Sequence, residues 1–423
     1  MDLNFHSVTL DKDACKGCIT CVSRCPTKAI RVRGGKAKIL SELCIDCGEC
    51  IRVCPHHAKK AVFDPFDQIF QYPYKIALPA PTMYGQFNNL DDVDYVLTAL
   101  KMAGFDAVFE VSQAAELVSE YTRKLLAEGK LKKPVISSAC PVVERLIRVR
   151  FPDLCENVLP VHSPMEVAAR IAREQARKDA GRPDEEIGVF FISPCPAKVT
   201  DARRPISCEK SAVNGVLSIG DVYPRIVGLM NKIEEPEPLS KSGIIGVSWA
   251  GSGGESAALF NEKYLAADGI ENVITVLEEV EGEKLNDLEF IELNACTGGC
   301  VGGVLTVENP YVARTRIQML RKYLPVSKSH MTDQEAPHMD WEVYLEAAPV
   351  MKLSDNLTQA MEMMAKIDQL TETLPGLDCG ACGAPTCRAL AEDIVRGYAR
   401  EGECVFLLRE QLERLANSFT KQQ

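Results

Sequence analysis

Residues 15–26 read CKGCITCVSRCP and residues 44–55 read CIDCGECIRVCP. Both are C-x2-C-x2-C-x3-C-P, the bacterial spacing for a pair of [4Fe–4S] clusters. Three closely spaced thiolates wrap one face of a cubane, while the fourth, past a short turn, reaches the neighbouring cluster. The spacing therefore assigns Cys15, Cys18, Cys21 and Cys54 to one cluster, and Cys44, Cys47, Cys50 and Cys25 to the other. Zinc is the competing reading, but zinc sites rarely repeat such a triplet with Pro after each fourth Cys. The expected chemistry is single-electron transfer.

The rest of the composition agrees with a soluble iron–sulfur protein. The chain has 423 residues, more than one ordinary core, with 46% hydrophobic and 25% charged residues. A net charge of -11 argues against nucleic-acid binding as the main task. No apolar run approaches membrane-spanning length, and the opening MDLNFHSVTLDKD is too acidic for a signal peptide. Eighteen cysteines, many in C-x2-C pairs, fit metal ligation in a reducing compartment, so a cytoplasmic location is expected.

Beyond a connector (DPFDQIFQYPYK), residues 75–325 alternate short apolar runs with helical periods. Strands are expected in KIALPA, DAVFEV, KPVISSA, IGVFFI, GVLSI, GIIGVSWA, NVITVLEEV and LEFIELNA, and helices over 91–102, 113–128, 164–179 and 311–323. Repeated strand–helix units mean mainly parallel sheets, with the site beyond the strands' C-terminal ends. Residues 326–350 read as a polar linker or surface excursion. A helix capped at Ser354/Asp355 should run to about residue 372.

Four central cysteines lie in Gly/Pro/Ser-rich turns after predicted strands: Cys140 in SSACP, Cys195 in SPCPAK, and Cys296 and Cys300 in ELNACTGGCVGG. Small buried thiols are the ordinary reading of scattered cysteines. Gly298, Gly299, Gly302 and Gly303 would instead let backbone close around a bulky group. These segments resemble the three signature loops of the [FeFe]-hydrogenase catalytic domain. LPAPT, GFDAVFEV, VHSPMEV and GSGGESAAL resemble its intervening stretches, in family order. The resemblance implies that Cys140, Cys195, Cys296 and Cys300 bind the cubane of an H-cluster, with Cys300 bridging to a di-iron subcluster carrying CO, cyanide and azadithiolate. It also implies that Lys198 pairs with one cyanide and that Ala80, Pro81 and Thr82 approach the other. H2 and protons would be the substrates, and maturation proteins would be required.

Departures from the family pattern matter as much. Ala139 stands where catalytic members carry the proton-transfer cysteine, and losing such a group typically costs about 10²–10⁴-fold in rate. Ser193 and Asn294 replace two methionines that pack around the di-iron centre, where polar groups could hydrogen-bond its ligands. The family's glutamate relay is not evident: Tyr121 or Thr122 falls near one position, and Glu110, Glu116 and Glu120 read first as solvated helix charges. Ligands kept and proton path lost resemble the sensory branch of the family. The competing class is a non-catalytic electron-transfer or cluster-assembly protein without a di-iron site, which also reads S-A-C-P at the first loop.

Cys379, Cys382, Cys387 and Cys404, spaced C-x2-C-x4-C-x16-C, form a third cluster motif. DCGACGAPTC followed by AEDIVRG is similar to the four-cysteine [4Fe–4S] domain of corrinoid iron–sulfur proteins, with structural zinc as the alternative. Twelve cysteines for three cubanes and four for the H-cluster leave Cys155 and Cys208 as ordinary thiols. Leu408, Leu412, Leu415 and Phe419 follow a 4-3-4 spacing that could pair with a partner helix, including one from a second copy. The expected architecture is a ferredoxin-like α+β head (1–65), a two-lobed α/β H-cluster domain (70–325), a small helical cluster domain (350–404) and a terminal helix (405–423). Output to a redox partner or a signalling kinase or phosphatase would require a separate protein.

Overall fold

The structure, a computed structural model, describes residues 5–330, 339–348 and 353–420, the side chains of 418–420 excepted. Thus the ends expected at residues 1, 350 and 423, and the Phe419 side chain, lie outside the described residues. The head contains β1 (Val8–Leu10), β2 (Ile30–Arg33), β3 (Lys36–Ile39) and β4 (Lys59–Ala61). β1 pairs antiparallel with β4 at Val8↔Ala61, and β2 pairs antiparallel with β3 at Ile30↔Ile39. Apolar side chains are few here, so Cys15, Cys21 and Cys54 themselves complete the interior with Val22, Ile30 and Ala58.

The body carries β5 (Tyr74–Pro79), β6 (Ala107–Val108), β7 (Val135–Ile136), β8 (Ile187–Ser193), β9 (Gly215–Ser218), β10 (Tyr264–Asp268) and β11 (Phe290–Asn294). One parallel sheet has the order β6-β5-β8-β9 and a second has the order β10-β11-β7. Period-two alternation sends Ile76, Leu78, Val189 and Phe191 into a core with the helices Val111–Glu128 and Pro164–Asp179. The intervening Ala77, Phe190 and Ile192 face a second core with the helices Asp94–Met102 and Ile219–Met230. Helices on both faces explain why every residue of β8 is buried. A third core joins Ile136, Ile291 and Leu293 to the helices Pro141–Arg150 and Ile270–Glu281. These two sheets form the two lobes of the α/β body.

Three local expectations are corrected. NVITVLEEV is helical, because Ile270, Val273, Ile274, Leu277 and Val280 repeat at 3.6-residue spacing and are buried together. GIIGVSWA contains the short helix Ile244–Ser248, and the neighbouring strand is instead Tyr264–Asp268, whose two alanines carry little apolar signal. The helix expected from Ser354/Asp355 begins at Leu357 and runs to Thr373. Its cap is Asn356, whose side chain accepts from Gln359 N at 3.2 Å, while Ser354 Oγ bonds the Gln359 side chain instead. Part of the polar excursion lies against the body: Met339 is buried and Trp341 Nε1 donates to Val161 O at 2.8 Å.

Candidate metal centres

In the head, Cys25, Cys44, Cys47 and Cys50 line one small cavity. Cys21 lies in the field of Cys15, Cys18 and Cys54. Two last-position sulfurs accept backbone amides: Ala29 N to Cys25 Sγ at 3.2 Å and Ala58 N to Cys54 Sγ at 3.3 Å. Against the cost of burial, such amides bring the Cys54 thiol below its usual range. The Lys59 ammonium is buried with no hydrogen-bond partner among the described residues, and it acts on Cys21, Cys50 and Cys54. An unpaired buried cation acting on cysteines of both sequence runs is a fit for anionic clusters.

A cavity enclosing about 800 Å³ of empty space, partly open to solvent, lies where the body's strands end. Cys195 follows β8, Cys140 follows β7, and Cys296 and Cys300 follow β11, so thiols from both sheets meet there. Burial and crowding by neighbouring thiols push the Cys296 and Cys300 thiols up to about 12 and Cys195 upward as well, and burial raises Cys140. Four crowded protons on sulfur are what a bound iron cluster would displace, since a cation reverses the local preference. Backbone alone fits in the last loop: Gly299 has φ +92°, and a Cβ on Gly303 would lie 2.2 Å from Pro194 O.

The wall of this cavity has small polar features of the kind cyanide ligands need. Thr82 Oγ1 is buried without a hydrogen-bond partner among the described residues. Lys198, also lining it, donates to Ser163 Oγ at 3.0 Å and Asp201 Oδ2 at 3.1 Å. Burial opposes its charge, but Asp201 and Glu144 outweigh that and raise its pKa. Glu144 is driven up to about 8, by burial first and then by Asp201. Ala80, Pro81, Ala139 and Asn294 line the same space. The donor set and this frame fit the H-cluster that the sequence implied.

Ser193 sits differently from expectation. Its hydroxyl accepts from Cys195 N at 3.0 Å and donates to Cys195 O at 2.9 Å, bracing the loop from behind. Glu110 and Glu116 are buried rather than solvated. Glu110 accepts from Tyr84 and Ser242 hydroxyls, and Glu116 accepts from the amides of Gly243, Lys328 and Ser329. Loop amides otherwise lacking partners explain that placement. Tyr121 donates to Asp340 at 2.7 Å, and Thr122 is buried in its helix. Glu120 lies 3.8 Å from Lys124.

A pair of buried acids was missed. Glu255 and Glu292 are each raised by burial, and Glu255 is raised further by Glu292's charge. Ser137 Oγ donates to Glu255 at 2.6 Å and accepts from Ala139 N at 3.2 Å. Asn294 Nδ2 donates to Glu292 at 2.8 Å. The legible signal was a glutamate inside the apolar strand FIELN.

Cys379, Cys382, Cys387 and Cys404 line a third cavity beside the helix Cys387–Val395. Cys155 packs at the third core, and Cys208 is buried with its thiol 3.5 Å from Lys210 O.

Two parallel sheets, with cysteine loops at their carboxyl ends and a cysteine-rich head on one side, define an iron–sulfur protein of hydrogenase architecture. The family profile "Iron only hydrogenase large subunit, C-terminal domain" matches residues 74–304, and the chain belongs to that family. The family model "4Fe-4S dicluster domain" matches residues 7–55, and the one described as "Putative Fe-S cluster" matches residues 374–406. The chain is 23% identical over 378 residues to NADP-reducing hydrogenase subunit HndD of Solidesulfovibrio fructosivorans, covering 70% of this chain and 64% of that one. It is 22% identical over 377 residues to iron hydrogenase 1 of Clostridium pasteurianum, covering 72% and 65%. The chain therefore spans slightly less than two thirds of these relatives' length. A solved [FeFe]-hydrogenase HydA1 from Chlamydomonas reinhardtii matches with a TM-score of 0.47 at 15% identity, over 65% of this chain and 90% of that one.

Proposed function

We propose that this chain handles H2 at an H-cluster, as a slow or sensory [FeFe]-hydrogenase with electrons relayed through three [4Fe–4S] clusters. The observation that carries the reading is one cavity uniting Cys140, Cys195, Cys296 and Cys300 with Lys198 and the partnerless Thr82 hydroxyl. When bound, the H-cluster supplies reversible heterolytic cleavage of H2 and takes up its electrons. Lys198, kept charged by Asp201 and Glu144, and the Thr82 hydroxyl are the groups of this cavity wall that would hold small anionic ligands of the cluster. Ala139 offers no proton at the cavity wall. The acid pair holds one instead: two close, buried carboxyls favour a shared proton, and Ser137 joins Glu255 to the Ala139 segment. A route built on carboxyls with raised affinity for protons suits low turnover.

In this reading the head, body and cluster domain keep the divisions 1–65, 70–325 and 350–404, with the C-terminal helix, described over Val405–Thr420, as the output end. Leu408, Leu412 and Leu415 are exposed on it, a face suited to a redox or signalling partner or a second copy. Among the described residues no helix is long and apolar enough to cross a membrane. The thiol-rich sites call for a reducing, cytoplasmic setting. Ala139 favours one alternative, an electron-transfer or assembly protein without the di-iron part. Infrared spectroscopy on anaerobic, cluster-reconstituted protein given the di-iron precursor separates the two. Bound CO and cyanide bands that shift under H2 are expected. Cubane iron with no such bands would leave the alternative standing.

A further inference from the structure

The C-terminal cysteine loop follows the catalytic body in sequence, yet the fold carries it back to the head. Val32 N donates to Gly383 O at 2.8 Å, and Arg33 Nη1 donates to Cys382 O at 2.8 Å. Arg31 Nε and Arg33 Nη2 both reach Asp393 Oδ2, at 2.7 and 2.8 Å. The side chains of Asp393 and Arg31 are only 3% and 6% exposed. One buried carboxylate pairs with the buried Arg31 guanidinium and with Arg33, which is 25% exposed, and this fixes the two domains in a single geometry, because separating them would strand the buried Arg31–Asp393 charges. Gly383, at φ +80°, permits the contact: a Cβ there would lie 2.1 Å from Val32 O.

The faces brought together are the cluster loops themselves. Gly380, between Cys379 and Cys382, packs on Ile19, between Cys18 and Cys21, with a built Cβ 3.6 Å from Ile19 Cδ1. The other head loop points inward. Val304 of the body packs over Gly48, and Arg52 Nη2 donates to Gly302 O at 2.9 Å, beside Cys300. The spatial order is therefore residues 379–404, then the Cys15–Cys21 loop, then the Cys44–Cys50 loop, then the Cys296–Cys300 loop. At the outer end Cys379 is exposed, and Leu377, Val405 and Phe406 leave an apolar rim 57%, 44% and 40% exposed. Small, partly apolar patches of this kind suit brief encounters between redox proteins.

We propose that the C-terminal four-cysteine site is the outer terminus of the electron chain, docked by Arg31, Arg33 and Asp393 onto the first head cluster. Its partner is a one-electron carrier protein of the iron–sulfur or flavin class, which meets the Cys379 face. This rests on the reading that these loops hold cubanes. Each transfer moves one electron: the C-terminal cubane goes from 1+ to 2+ as the carrier is reduced, and the head cubane then refills it by the same one-electron change. Two such passages carry the electron pair of one H2, and the reverse order serves proton reduction.

The test is electron paramagnetic resonance of the full-length, reconstituted protein, chemically reduced, with iron counted per chain. Magnetic coupling between the C-terminal and first head cubanes is expected. Arg31→Met/Arg33→Met, and separately the near-isosteric Asp393→Asn, should keep the iron count and lose that coupling, with slower reduction of the head clusters by a one-electron carrier. Unchanged coupling and unchanged reduction in both variants, or zinc in place of iron at residues 379–404, would overturn the proposal. Infrared bands decide the di-iron reading separately, so coupling without such bands would sink the hydrogenase function and leave this relay intact.

Discussion

At the scale of single residues, proton supply is the feature that sets this cavity apart. Ala139 has no acid, and the raised carboxyls of Glu255 and Glu292 stand behind it through Ser137 and Asn294. On the proposed hydrogenase reading, Ala139→Cys places a titratable thiol at the cavity wall, so H2 turnover of the reconstituted protein should rise, by as much as about 10²-fold where protons limit. Glu255→Gln should lower turnover in the parent protein and much less in the Ala139→Cys variant, because the new thiol bypasses the pair. Glu255 also makes a stability prediction. A carboxyl whose affinity for protons is raised in the folded state binds more protons folded than unfolded, so stability falls as pH rises above the ordinary glutamate range. Thermal unfolding across that range should show a shallower slope for Glu255→Gln, and an unchanged slope would mean that the pair is not coupled as described.

At the scale of elements, legibility followed how far a signal depends on near neighbours. The Cys-x2-Cys runs were readable because cluster ligation fixes local spacing. The helices Val111–Glu128 and Pro164–Asp179 were readable because their apolar faces repeat locally. NVITVLEEV, rich in β-branched residues, was misread because propensity conflicts there with helical burial, and burial won. Glu110, Glu116 and Glu255 were illegible as buried groups, since their partners are loop amides or hydroxyls far away in sequence, whereas Glu292 carried a local signal as an acid inside an apolar strand. The loop after β11 offers a direct test of what was legible. Gly303→Ala puts a Cβ 2.2 Å from Pro194 O, which forces the Cys300 turn away from the Cys195 turn. Such a shift should cost about 1–3 kcal/mol by overpacking. It should also lower the iron bound at the body's cubane while the head retains its full complement, as measured by iron analysis and cluster absorbance.

At the scale of the whole molecule, cluster binding and folding are unevenly coupled. The body has three extensive apolar cores that persist whatever its cavity contains. Among the described residues, the head's own apolar cluster has seven buried members, three of them cysteines. The C-terminal domain also has seven, including Cys404. Domains so small seldom fold on apolar burial alone, and a metal site commonly supplies the missing stability. Removing iron would leave thiols crowded around empty space in both, and the buried Lys59 without counter-charge. The docking ion pair cannot rescue them, because Arg31 and Asp393 each sit on one of the two weakened partners. Iron-free protein should therefore keep slow hydrogen exchange in β5, β8 and β11 and the helices around them. Exchange across residues 7–61 and 357–404 should become fast. Restoring iron and sulfide should recover protection in both segments together, since each supports the other across the Val32–Gly383 contact. Protection that persists in the iron-free head would show that its apolar core suffices, and would remove the physical reason for the two ends of the chain to be joined.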